Sequence, residues 1–265
     1  MRNTLAIGFF ALLVSTDSRE SLSEKVKSHG IQTSHGTGAE ASPNPYGSVG
    51  EIPVPEGFRR LETARNSFGA WLRRMPLKSD RTVYLYNGQA KTNQSAQFAV
   101  VDIPVGTSDL QQCADAVMRM RAEYLLSAGR SSEIVFHDNA NKAYRFTPGG
   151  DRSAFERYMR NVFAWCGTLS LEKELRAVSD VSRISAGDVF IKGGSPGHAV
   201  IVLDVAIDGQ GKKAFLLAQS YMPAQDIHVL KNPKGSLRQP WYTLDQGSEL
   251  MTPEWTFQWR QLRTW

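Results

Sequence analysis

Residues Gly187 to Asp204 read GDVFIKGGSPGHAVIVLD, and this stretch decides the fold. Val189, Phe190 and Ile191 make a short apolar strand, the run from Gly193 to Gly197 turns the chain, and His198 stands at the mouth of a β-branched second strand. Glycines in that turn let backbone approach closely, as a substrate cleft requires. Asp208-Gly209-Gln210-Gly211 forms the next turn and leads into a strand over Ala214–Gln219, followed by another over Asp226–Leu230. A hairpin pivoting near Gly209 and Gln210 sets His198 opposite Tyr221 and diagonal to Gln219, within reach of a long amide side chain.

Upstream the pattern is mostly helical. Phe68, Trp71 and Leu72 share one helical face, closed by Pro76. Val83–Tyr86 reads as a strand entering the Asn87-Gly88 turn, and Phe98–Val105 as a second strand. Ser108 and Gln111 form a capping box that predicts a helix from Asp109 to about Ser127. Further helices are expected from Arg152 to Trp165 and, in a short N-capped piece, from Thr168 to Leu175. Helices first and strands after them make the expected fold class α+β, with N-terminal helices packed on an antiparallel sheet.

The chain has 265 residues, 41% of them hydrophobic, enough for one sizeable core. Its 31 basic and 26 acidic residues leave a formal charge of +5, spread along the chain. That balance suits an anionic partner such as a cell-envelope polymer, while the absence of a basic run or aromatic-basic motif argues against nucleic acid. Met1-Arg2-Asn3, the apolar run Thr4–Val14 and the small polar residues after it have the layout of a secretory signal peptide over residues 1–17. That run is too short to span a bilayer, so no membrane span is expected. Residues 18–50, rich in Ser, Gly and Pro, read as a flexible leader to a single domain over 51–265. The expected location is periplasmic or extracellular.

Two cysteines carry the chemistry that the sequence can offer. Cys113 falls near the start of the predicted Asp109 helix, where the macrodipole favours a thiolate and prepares a nucleophile for a nearby imidazole. It also lies on the apolar stripe of Leu110, Val117, Met120 and Tyr124, which suits a core cysteine, and export permits a bridge to Cys166. His198 is either a base oriented by Gln219 or a strand-end histidine bonded to backbone. Asp226 and His228, two apart on a predicted strand, offer with His198 a second constellation, a zinc site, although no paired-ligand motif accompanies them. Trp255, Phe257 and Trp259 alternate onto one strand face, which suits core. No cofactor is expected.

The runs SFGAWLRRMPLK (Ser67–Lys78), LQQCADAVMRMRAEYL (Leu110–Leu125), GDVFIKGGSPGHAVIVLDVA (from Gly187) and FLLAQSYMPAQDIHVLKNP (Phe215–Pro233) closely resemble a family of exported bacterial proteins catalogued only as a domain of unknown function. More distantly, Gln112-Cys113 opening a helix, the GGSPGHAVIVLDV run and the polar end of LLAQSY resemble the papain-like amidases of the CHAP and NlpC type. That resemblance implies a papain-like, CHAP-like core and cleavage of amide bonds in peptidoglycan peptides. On it Cys113 matches the nucleophile, His198 the base and Gln219 the orienting residue, at a position that usually carries Asn, Asp, Glu or His. Gln112, Ser195 and Tyr221 are the candidates for oxyanion stabilisation or substrate binding. Three readings follow: a secreted cysteine amidase or peptidase, a non-catalytic envelope-binding protein on the same scaffold, and a metal-dependent hydrolase.

Overall fold

The computed structural model describes residues 42–235, 240–244 and 247–265. The expected signal peptide and the first part of the leader lie outside them. Four α-helices occur among the described residues: α1 (Phe68–Arg73), α2 (Cys113–Ser127), α3 (Arg152–Trp165) and α4 (Thr168–Glu174). The strands before the Gly187 stretch are β1 (Phe58–Arg60), β2 (Gln97–Val100), β3 (Val135–His137), β4 (Ala143–Arg145) and β5 (Arg176–Ala177). The central ones are β6 (Val189–Lys192), β7 (His198–Asp208), β8 (Lys213–Gln219) and β9 (His228–Leu230). Then come β10 (Tyr242–Thr243), β11 (Glu249–Met251), β12 (Thr256–Gln258) and β13 (Leu262–Thr264).

One antiparallel sheet runs in the order β2-β9-β8-β7-β6-β13-β5, with β1 added to β7 and β10 to β8. Its axis is β7, buried from His198 to Ala206 because it is covered on both faces. Ala199, Ile201 and Leu203 join the core under α1 and α2, while Val200, Val202 and Val205 join a second core with Phe190, Phe215, Tyr242 and Phe257. The alternation changes parity at a β-bulge. Val202 pairs with Leu217 but Asp204 pairs with Leu216, leaving Leu203 as the extra residue. Beyond the bulge Asp204 faces Arg60 and Arg73, and Ala206 returns to the helix-side core.

The α+β class with helices on an antiparallel sheet is therefore observed, and several element bounds differ from expectation. Residues 42–50, expected in the leader, are part of the fold: Val49 is fully buried in the helix-side core and the Asn44 amide N–H bonds the Ser79 carbonyl at 2.8 Å. Val83–Tyr86 makes isolated bridges, Tyr84 to Ala90 and Leu85 to Gln225, in place of a strand. The strand expected over Phe98–Val105 ends at Val100, and β9 starts at His228 rather than Asp226. Helix α2 starts at Cys113, four residues later than the Ser108 capping box predicts, because Asp115 caps it instead and its Oδ2 accepts the Gln112 amide N–H at 3.0 Å. No helix among the described residues is long and apolar enough to cross a membrane.

Candidate active site

Two polar ties place the start of α2 beside the end of β8, and a third fixes the turn before the helix itself. The Ala224 amide donates to Asp109 Oδ1 at 2.7 Å, the Ser220 hydroxyl lies 2.9 Å from the Gln111 carbonyl, and Gln112 Nε2 donates to Asp109 Oδ1 at 3.2 Å. The first helical residue, Cys113, thereby sits against the opening of β7, where the backbone N–H of Ala199 acts on its sulfur.

His198 occupies the first position of β7 and Gln219 the last of β8. Their side chains meet, His198 Nε2 to Gln219 Oε1 at 2.8 Å. His198 Nδ1 takes no hydrogen bond among the described residues. Aromatic rings enclose the imidazole: Tyr221 edge-on at 4.8 Å between centroids, Trp255 at 5.3 Å and Phe257, nearly parallel, at 5.8 Å. Tyr221 also lies within electrostatic range of Cys113. Thus His198, Gln219 and Tyr221 come together beside the start of β7 that Cys113 faces, and no hydrogen bond joins Cys113 to His198 among the described residues.

Burial controls the protonation of this group. His198 is 1% exposed, and loss of hydration lowers its pKa to about 4, with Gln219 and the Glu254 charge opposing that shift. Cys113 is 6% exposed, and burial first, then the charge of Asp115, push its thiol up to about 11. The backbone N–H groups of Ala199 and of the helix start pull the other way and lose. The lowered thiol pKa expected from the helix position is therefore overturned: the resting pair is a neutral thiol and a neutral imidazole.

Cys113 opens on a cleft of about 330 Å³ between the start of α2, the α3–α4 junction and the β6–β7 turn. Gln112, Asp115, Ser195 and Met222 line it, which puts Gln112 and Ser195 on the same cleft as Cys113. His198, Gln219 and Tyr221 are not among its lining residues. Cys166 lines it too, with its thiol pushed up to about 12 by burial first and then by Glu174. Both cysteines are free thiols.

The zinc constellation does not assemble. The carboxylate of Asp226 accepts from Lys78 Nζ at 2.9 Å and from the Tyr84 amide at 3.0 Å, and Asp226 precedes β9 instead of sharing its face with His228. His228 Nδ1 bonds the Asp226 carbonyl oxygen at 2.9 Å. Among the described residues no three His, Cys, Asp or Glu side chains are grouped to hold a metal ion. Sequence reasoning missed Asp115, which caps the helix beside the thiol, and Glu254 and Lys91, which lie behind Gln219. Asp115 carried a usable signal, an acidic residue at the third helical position; Glu254 and Lys91 carried none.

Fold and site together define a mixed helix and antiparallel-sheet protein with a buried cysteine on a cleft and a buried histidine–glutamine pair behind it. Residues 50–149 and 137–264 match the family Domain of unknown function (4846), and the chain belongs to that family. No curated protein and no solved structure matches it.

Proposed function

We propose that the chain is a cysteine hydrolase with a papain-like core, an amidase or peptidase acting after export on a peptidoglycan-type envelope peptide. The observation that supports this reading is the His198–Gln219 bond, which occupies Nε2 and leaves Nδ1 without a hydrogen bond among the described residues, one position along β7 from the Ala199 N–H that acts on Cys113 Sγ. Cys113 Sγ attacks the amide carbonyl carbon while His198 Nδ1 takes the thiol proton. Backbone N–H groups at the start of α2, with the Gln112 amide near them, stabilise the oxyanion. The C–N bond breaks as His198 returns the proton to the leaving nitrogen, giving a thioester. Water then attacks that thioester while His198 takes its proton, and the C–S bond breaks as His198 passes that proton to Cys113 Sγ, which releases the carboxylic acid and restores the thiol. Because both partners rest neutral, His198 acts as a general base during attack, without a standing thiolate–imidazolium pair.

A second reading is a non-catalytic envelope-binding protein on the same scaffold, and the high thiol pKa favours it. Incubation of the protein with purified peptidoglycan sacculi separates the two. The amidase reading expects soluble fragments with new amino and carboxyl ends by mass spectrometry, lost in Cys113→Ala and in His198→Ala. Release of no fragment by the unaltered protein, or undiminished release by Cys113→Ala, discards it. Co-sedimentation without cleavage supports the binding module.

A further inference from the structure

Gln219 is held by more than His198. Its Nε2 donates to Glu254 Oε2 at 2.7 Å, and Glu254 Oε2 also takes the ammonium of Lys91 at 2.6 Å. The same Nε2 lies 3.4 Å from His228 Nε2. A carboxylate accepts and cannot donate, so Glu254 requires the NH₂ side of the Gln219 amide. His228 makes the same demand: its Nδ1 donates to the Asp226 carbonyl, which leaves Nε2 bare and able only to accept. With both amide hydrogens directed at Glu254 and His228, Gln219 can present only its oxygen to His198. An oxygen there requires Nε2–H on His198 and leaves Nδ1 with its lone pair. Of the two constraints Glu254 is the stronger, being short and charge-assisted where the His228 contact is long.

We propose that Glu254 is a positioning residue that selects the tautomer of His198 through Gln219, with Lys91 holding the carboxylate in place; this rests on the reading of His198 as the base. A neutral amide thus takes its direction from a partly buried carboxylate one bond further away. In the proposed hydrolase the selected tautomer is the only one whose Nδ1 accepts a proton. Its mirror, with Nδ1–H, has no free base to offer the thiol.

Nitrogen-15 spectra of the histidine side chains in the full chain at pH 7 report the tautomer directly, and they do not depend on turnover. The unaltered protein is expected to show His198 in a single form, Nε2 protonated and Nδ1 bare. Exchanging the charges, Lys91→Glu with Glu254→Lys, keeps the ion pair but puts a donor where the acceptor stood. Gln219 then turns its oxygen to the lysine, and the His198 pattern is expected to invert to Nδ1–H. The isosteric Glu254→Gln, which can donate or accept, is expected to give both forms and to lower any hydrolysis about tenfold. It decides the matter if the exchanged protein does not fold. An unchanged Nε2–H pattern in a folded exchange variant overturns the proposal, as does an unchanged pattern in Glu254→Gln when only that variant folds. An inverted tautomer in a protein that cleaves no amide keeps the role of Glu254 and discards the hydrolase.

Discussion

His198 and Gln219, diagonal neighbours on β7 and β8, close a 2.8 Å hydrogen bond between two side chains that are each 1% exposed. A buried imidazole with a neutral partner pays for its position in ionisation, since the nearest carboxylate, Glu254, stands behind Gln219 and offsets only part of the lost hydration. His228 is in the same state, fully buried, and its pKa is likewise lowered to about 4. Both rings therefore stay uncharged at neutral pH.

Protonation of these rings links folding to acidity. The unfolded chain takes up the protons near pH 6.5, whereas the folded chain resists until about pH 4. The stability they contribute is thus complete above pH 6.5 and is lost as pH falls toward 4, by up to about 3 kcal/mol for each ring. Asp115 works in the opposite sense, because burial raises its pKa and favours the folded state at low pH. Urea unfolding of the unaltered protein and of His228→Gln at pH 7 and pH 4.5 isolates the histidine. The unaltered protein should lose about 2–3 kcal/mol more than the variant. Equal losses would show that His228 is not protonated in the unfolded chain alone.

The pairing of His198 with Gln219 was legible in the sequence through two departures that cancel. The hairpin turns about Gln210, half a residue from the expected pivot, which alone would shift every pair by one. The bulge at Leu203 shifts them back, so that Ile201 faces Ala218 and His198 falls opposite Tyr221 as the simple register requires. Nothing in the β-branched run announces a bulge, because every residue there suits a buried strand. The capping of α2 was misread for a different reason. Ser108 and Gln111 have the right types, but Gln111 is drawn into the core by the Ser220 hydroxyl on its carbonyl, a contact made across 109 residues. The apolar aromatic strand was legible as core at Phe257, yet its neighbour Glu254 gave no local sign that it would meet Gln219 and Lys91.

Asp115 combines a cap with an electrostatic brake on Cys113. Its Oδ2 accepts the Gln112 amide, and its Oδ1, though buried, has no partner. In Asp115→Asn an oxygen still accepts from Gln112, so stability should change by less than about 1 kcal/mol. The negative field on the sulfur is removed, however, and the thiol pKa should fall while burial keeps it above that of an exposed cysteine. Iodoacetamide labelling of Cys113 at pH 8, read by mass spectrometry with Cys166 as the internal reference, should accelerate about threefold. A slower or unchanged Cys113 would mean that the carboxyl does not act on the sulfur.

Asp204 anchors both flanking elements to the central strand. Fully buried past the bulge, it accepts from Arg60 Nε at 2.8 Å, from Arg73 Nε at 3.0 Å and Nη2 at 2.6 Å, and from the Val205 amide at 2.9 Å. Arg60 belongs to β1 and Arg73 to α1, so one carboxylate joins three elements. Asp204→Ala should destabilise the fold by about 3 kcal/mol, at the lower end for a broken buried pair because both guanidinium groups are partly hydrated. Arg60→Ala, which leaves Arg73 in place, should cost about 1 kcal/mol. Denaturant midpoints that rank the two substitutions the other way would place the anchor elsewhere.

Gly197 precedes His198 at the point where the β6–β7 turn meets α4. A β-carbon there would run into the Gly194 carbonyl oxygen and the Thr168 hydroxyl, and would lie 2.8 Å from the Lys192 carbonyl. Two of these obstacles are backbone, so the turn itself must move, and His198 moves with it. Gly197→Ala should therefore destabilise by about 1–3 kcal/mol and also displace the imidazole from Gln219. Gly209, in the following hairpin turn, has open space around the same position and no left-handed backbone, which makes Gly209→Ala the control. The expected pattern is a lowered melting temperature and a perturbed His198 imidazole resonance for Gly197→Ala, with both unchanged for Gly209→Ala. A stable Gly197→Ala protein with an unaltered His198 signal would show that the turn yields without transmitting its movement to the site.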